Sequence, residues 1–183
     1  MTRGRKSHTK SEAGATSEQR PPEVLDLISR SPEETQAIGR VLGEMAAPGD
    51  LFLLEGELGT GKTCLTQGIA WGMGVKEYVR SPTFVLVSQY QGRIPLYHAD
   101  LYRLEVVGEL LDLGLEEYFH GSGCCVVEWA ERGALAMPHD HLWVRLEYVG
   151  ERERSIHLRA QGDRYLSLLS QLKPRLEPYG TSH

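Results

Sequence analysis

The residues with the plainest chemistry are Gly56-Glu57-Leu58-Gly59-Thr60-Gly61-Lys62-Thr63, which fit the phosphate-loop pattern G-x-x-x-x-G-K-[ST] at every fixed position. Glycines so placed let the backbone turn successive N–H groups toward one point, and a helix start adds partial positive charge there. Such a nest holds phosphate. Lys62 is expected to reach the β- and γ-phosphates of ATP, and the Thr63 hydroxyl to ligate a bridging magnesium ion. Glu57, Leu58, Gly59, Thr60, Gly61, Lys62, Thr63 and the following Cys64 are the expected nucleotide contacts. The chemistry is phosphoryl transfer to water, achieved by positioning and charge neutralisation, with Lys62 among the catalytic groups.

Two acids could complete it. Gly123-Cys-Cys-Val-Val-Glu128 is a small apolar run ending in a carboxylate. In a phosphate-loop sheet, a neighbouring strand of this type aims its terminal acid at the magnesium site, so Glu128 is a candidate for ion or water positioning. Asp100 follows a second apolar run, and the residues alone leave it between a catalytic acid, a helix cap and a partner for Arg103. His98 reads as structural, since H-x-D without a third ligand is a weak metal signal.

The elements that must position these groups follow from periodicity. Asp50 to Glu55 reads as a short buried strand, and Cys64 to Met73 places Leu65, Ile69 and Met73 at helical spacing, so a strand feeds the loop and the loop opens a helix. Upstream, Val24, Leu25, Leu27 and Ile28 mark a strand. Ser31-Pro32-Glu33-Glu34 then announces a helix whose apolar face is Ile38, Val41, Leu42 and Met45, with a capping box closed by Glu34 and Thr35 on the polar side. Downstream, Ser81-Pro82-Thr83-Phe84 is a shaped loop entering a hairpin, Val85 to Tyr90 and Ile94 to His98, about Gln91-Gly92-Arg93. Residues 106–119 hold a helical stretch interrupted at Gly114. Leu142 to Val149 and Ser155 to Ala160 alternate as an edge hairpin, and a final helix from Asp163 to Lys173 is broken by Pro174 and Pro178. The fold class is α/β, a three-layer P-loop NTPase type whose mixed, mostly parallel sheet is flanked by helices and carries antiparallel hairpins.

Composition bounds the rest. With 183 residues, 40% hydrophobic and 25% charged, the chain suits one domain, placed at 23–174 between a disordered basic tail at 1–22 and a flexible tail at 175–183. The first tail carries five basic and two acidic side chains, while the remaining body has 15 basic against 23 acidic. An acidic body is a poor match for a free-standing nucleic-acid binder, so DNA is not expected as a partner. No run is long and apolar enough to cross a bilayer, and a cytoplasmic protein without membrane contact is expected. Cys64, Cys124 and Cys125 show neither zinc nor redox spacing and read as small buried apolar residues.

Four motifs in order, the phosphate loop, Ser81-Pro-Thr-Phe84, His98-Ala-Asp-Leu-Tyr-Arg103 and Val127-Glu-Trp-Ala-Glu-Arg132, resemble those of the TsaE (YjeE) family across about residues 24–160. The resemblance implies an ATPase of the pathway that installs threonylcarbamoyl on the adenosine beside the tRNA anticodon, working with TsaD and TsaB proteins and meeting tRNA only through that complex. It further implies that Lys62 and Thr63 hold phosphate and magnesium, that Glu128 serves the metal, and that Asp100 acts near the γ-phosphate. Thr83 becomes a possible γ-phosphate or magnesium contact in a switch segment, and Thr35 a residue near the nucleotide. The chain departs from the family pattern at Ala99, where an aromatic residue is usual, at Cys64, where a second Thr often stands, and at Ala130, where Pro usually follows Glu-Trp.

Two other readings stand beside a partner-activated ATPase: a small-molecule kinase on the same scaffold, and a non-catalytic adaptor that senses nucleotide. The first needs an arginine-bearing lid, for which Arg132, Arg152 and Arg154 are candidates, though no long lid segment separates the elements. A GTPase is disfavoured by the absence of an N-K-x-D or T-K-x-D motif.

Overall fold

The apolar runs Leu51–Glu55 and Cys124–Glu128 can be buried on both faces, which places them at the centre of a sheet, while the alternating segments suit its borders. The computed structural model, which describes residues 23–84, 86–105 and 114–181, has this arrangement. Seven strands, β1 (Glu23–Ser29), β2 (Leu51–Glu55), β3 (Val87–Gln91), β4 (Pro95–Asp100), β5 (Cys124–Glu128), β6 (His141–Tyr148) and β7 (Arg154–Gln161), lie in the order β1-β7-β6-β2-β5-β4-β3. The central four, β6, β2, β5 and β4, are mutually parallel. Antiparallel pairings occur at the borders, between β3 and β4, β6 and β7, and β7 and β1.

Helices α1 (Pro32–Met45), α2 (Lys62–Gly72), α3 (Leu115–Phe119) and α4 (Asp163–Leu176) flank the sheet. On one face Ile38 and Leu42 of α1, Leu65 and Ile69 of α2, and Leu168 and Leu172 of α4 share a core with Phe52, Val126, Val144 and Leu158. The short α3 and a 3-10 turn (Ala130–Ala136) cover the other face over Leu51, Leu53, Cys125 and Val127. Three layers result. Between α1 and α2 the packing is backbone to backbone. A side-chain carbon at Gly39 would stand 2.3 Å from the Leu65 carbonyl oxygen and one at Gly43 2.0 Å from that of Ile69; Gly68 and Gly72 face Gln36 and Arg40 as closely. Four glycines at two i,i+4 spacings thus fix where α2, and the loop at its head, can sit.

Local details differ from the sequence expectations. Ser31 caps α1 by accepting from the Glu34 amide at 3.2 Å, but the Glu34 carboxylate accepts from the Arg30 amide, one residue before the cap. Thr35 is buried rather than on a polar side, because the end of β1 lies against the first helical turn: its hydroxyl meets Ser29 Oγ at 2.6 Å. The hairpin turn is shifted to residues 92–94, and β4 runs on through Asp100. The third helix begins after Gly114, which adopts φ 63°, and residues 106–113 lie outside the described residues, as do Val85 and the tail at 1–22.

The boundary at 174 is also corrected. Helix α4 continues through Pro174 to a buried Leu176, followed by a 3-10 turn at Glu177–Tyr179. Gly180 then bridges Leu27, and the Thr181 amide donates to the Asp26 carbonyl at 3.3 Å. The free edge of β1 offers those partners, so residues 175–181 belong to the folded body; 182–183 lie outside the described residues.

Candidate functional site

β2 ends at Glu55, and the chain turns through Gly56 (φ 150°), Gly59 (φ 79°) and Gly61 (φ 104°) before Lys62 opens α2. A side chain at Gly56 would strike the Leu146 carbonyl oxygen at 2.5 Å, and φ 104° at Gly61 is a conformation that L side chains rarely adopt. The N–H groups of the first turn of α2 have no partner within the helix and face outward with the positive end of its dipole. The loop is braced from outside: Tyr148 Oη donates to the Leu58 carbonyl at 3.0 Å and Arg154 Nε to that of Thr60 at 3.2 Å.

Leu58, Gly59, Gly61, Lys62, Thr63, Cys64, Ser81, Thr83, Asp100, Tyr102, Glu128 and Trp129 line one cleft of about 450 Å³. Most of the residues expected from sequence therefore meet. The exceptions are informative. Glu57 and Thr60 instead line a separate recess with Glu55, Leu146 and Tyr148, and the Thr60 hydroxyl donates to the Glu57 carbonyl at 2.8 Å. Their route to a ligand in the cleft is the backbone. Thr35 does not line the cleft; its methyl lies 3.8 Å from where a Gly61 side chain would begin, so it props the loop from behind.

Lys62 is 4% exposed and its ammonium donates to the Gly56 and Glu57 carbonyls at 2.6 and 2.9 Å, with the Trp129 ring centroid 3.8 Å away. Burial lowers its pKa below the ordinary lysine value, opposed by the charges of Glu128, Glu131 and Asp100. A phosphate entering the loop would offer this cation acceptors bearing full charge. Trp129 holds its ring there from a left-handed backbone, φ 58°, and Tyr102 packs on it at 4.9 Å between centroids.

The two acids end adjacent parallel strands, since Asp100 is the register partner of Glu128. Both are buried, and both border the cleft at the head of α2. Glu128 Oε2 accepts from the Thr63 hydroxyl at 2.9 Å; Oε1 accepts from His98 Nε2 at 2.8 Å and lies 3.2 Å from the Thr66 hydroxyl, whose one hydrogen is shared with the Lys62 carbonyl at 2.9 Å. Asp100 Oδ2 accepts from Ser81 Oγ and, at 3.0 Å, from Thr83 Oγ1, while Oδ1 accepts from the Tyr102 amide at 2.8 Å. One carboxylate beside one hydroxyl, next to a phosphate nest, suits a hard cation that takes its other ligands from phosphate and water, as magnesium does. No cluster of three or more His, Cys, Asp or Glu that could by itself hold a metal ion occurs among the described residues.

Sequence reasoning misses four participants: His98, Thr66, Ser81 and the indole of Trp129 on Lys62. Thr66 carries a signal, standing three residues after Thr63 and so on the same side of α2. The contact of His98 depends on which strand lies beside β4, which no spacing reveals. Of the cysteines, Cys124 and Cys125 are buried as expected, the second with its pKa pushed up to about 12 by burial. Cys64 is instead half-buried at the cleft, its thiol directed at the Pro32 carbonyl at 3.3 Å.

Comparison with known proteins gives consistent matches. Residues 29–156 match the family described as Threonylcarbamoyl adenosine biosynthesis protein TsaE. The chain is 46% identical over 143 residues to the tRNA threonylcarbamoyladenosine biosynthesis protein TsaE of Bacillus subtilis, covering 78% of this chain and 89% of that protein. It is 40% identical over 132 residues to the protein of the same name from Treponema pallidum, covering 72% and 98%. The crystal structure of Bacillus subtilis YdiB superimposes with a TM-score of 0.76 at 39% identity, covering 85% of this chain and 98% of that one.

Proposed function

The chain belongs to the TsaE family of tRNA threonylcarbamoyladenosine biosynthesis proteins, and from that premise we propose that it is an Mg-ATP-binding ATPase subunit working with TsaD and TsaB proteins. One observation carries the reading: Thr63 and Glu128 meet at the mouth of the glycine loop, with Lys62 and Asp100 bordering the same cleft. The loop amides and Lys62 bind and orient the phosphates. Thr63, through Oγ1, and Glu128, through Oε2, are the residues that would hold magnesium, which when bound would supply neutralisation of phosphate charge. Asp100, at the end of the adjacent strand, would orient the attacking water once Ser81 and Thr83 turn from it to other partners. In the described structure those hydroxyls occupy Asp100, so hydrolysis by the isolated chain should be slow and rise when partners reshape residues 81–83.

The kinase reading requires an acceptor pocket, and the adaptor reading requires binding without turnover. Phosphate release from ATP, measured with the chain alone and with TsaD, TsaB and tRNA, tests all three. Release that rises with the partners supports the ATPase; release at background in every mixture favours the adaptor, and label appearing on an added acceptor favours the kinase. The family's tRNA pathway and the acidic body support a cytoplasmic location, and no described helix is long and apolar enough to cross a membrane.

A further inference from the structure

The oxygens of Glu128 are held in different ways. Among the described residues Oε2 has only the Thr63 hydroxyl, at the rim of the cleft, whereas Oε1 accepts from His98 and, in a bond whose hydrogen is shared with the Lys62 carbonyl at 2.9 Å, from Thr66, both donors wholly buried. His98 comes from β4, two residues before Asp100, and Thr66 from α2, one turn after Thr63. Their two elements approach the carboxylate from different sides. A carboxylate only accepts, so His98 Nε2 carries the hydrogen. Its other ring nitrogen, Nδ1, is buried without a partner among the described residues. Leaving a polar atom unpaired in a core is costly, and an apolar side chain at 98 would avoid that cost. Packing alone does not account for a histidine here; the bond from Nε2 does.

We infer that His98 and Thr66 are a positioning pair that pins Oε1 inward, so that Glu128 presents a single oxygen, Oε2, beside the Thr63 hydroxyl. The inference rests on the cleft being an Mg-nucleotide site. Neither residue touches the ligand. Both act through Glu128, fixing a flexible side chain that would otherwise turn both oxygens to solvent or to Lys62.

The test is calorimetric titration of ATP into the full chain at a series of Mg2+ concentrations and in EDTA, for wild type, His98→Leu, His98→Gln and Thr66→Val. Outer-shell partners of a metal ligand contribute about 10- to 100-fold in metal affinity. His98→Leu should raise the Mg2+ concentration that half-maximally tightens ATP binding by about tenfold, and Thr66→Val by about fivefold. His98→Gln, whose amide offers an N–H near the place of Nε2, should stay within about twofold of wild type, and ATP affinity in EDTA should be unchanged throughout. A wild-type Mg2+ response in both His98→Leu and Thr66→Val overturns the proposal. Thr66→Val keeps the side chain's volume, so it decides alone if His98→Leu lacks a cooperative thermal transition. Wild-type binding that is indifferent to Mg2+ is a separate failure, which overturns the Mg-nucleotide reading and the positioning role with it.

Discussion

Two walls of the cleft end in the same chemical group and are built in opposite ways. Glu128 and Asp100 are register partners on adjacent strands, equally buried. The first is held by donors from regular elements, His98 on β4 and Thr63 and Thr66 on α2. The second is held on one oxygen by Ser81 and Thr83, from a segment without regular structure, and on the other by the Tyr102 amide. Donors fixed by helix and strand move only with the core, whereas loop hydroxyls can turn away at the cost of about 1 kcal/mol per hydrogen bond. The rigid wall suits the holding of an ion; the loosely tied wall suits an acid that must be freed at a particular moment.

The comparison can be broken from its centre. Lys62 feels the charge of both walls, and Lys62→Ala should weaken ATP binding by about 100-fold or more, because removing one partner of a buried charge pair costs about 2–5 kcal/mol. Unchanged affinity by calorimetry would remove the loop from the mechanism. The walls themselves should then separate by readout. Asp100→Asn should lower phosphate release in the presence of partners by about 100-fold while ATP affinity stays within about threefold. Glu128→Gln should instead raise the Mg2+ requirement for binding, by about 100-fold. Equal losses in both measurements for both variants would erase the distinction.

Stability offers a finer probe of the rigid wall. Gly43→Ala drives a carbon into the Ile69 carbonyl, 2.0 Å away, and should destabilise the fold by about 1–3 kcal/mol, read as a lower midpoint in urea. Thr83→Ala should have the smallest effect, about 1 kcal/mol or less, since Thr83 is half-buried and Ser81 still reaches Asp100. A larger loss for Thr83→Ala than for Gly43→Ala would reverse the assignment of rigid and loose walls.

The legible parts of this molecule are those whose signal is local. The glycine loop, the strand that feeds it and the acid ending β5 each lie within one run of residues, and each can be read there. Thr35 escapes such a reading because its helix has an apolar face on one side and, invisible to periodicity, the end of β1 on another. The four packing glycines stand in the sequence as two i,i+4 pairs, yet small residues carry no hydrophobic period. His98 cannot be assigned from spacing at all: its meeting with Glu128 follows from β4 and β5 being parallel neighbours with His98 opposite Val126. Pro174 looks like a helix breaker, but burial of Leu172 and Leu176 on either side outweighs the one hydrogen bond it removes.

The strap formed by Gly180 and Thr181 has a consequence for how this sheet could grow. By occupying Leu27 and Asp26, it covers that part of the outer border of β1 against an additional strand, while β3, at the opposite border, pairs among the described residues with β4 alone. Among the described residues, enlargement of the sheet by a neighbouring molecule or by misassembly is thereby favoured at β3 over the strapped stretch of β1, and trimming the chain before residue 180 would bare that stretch as well.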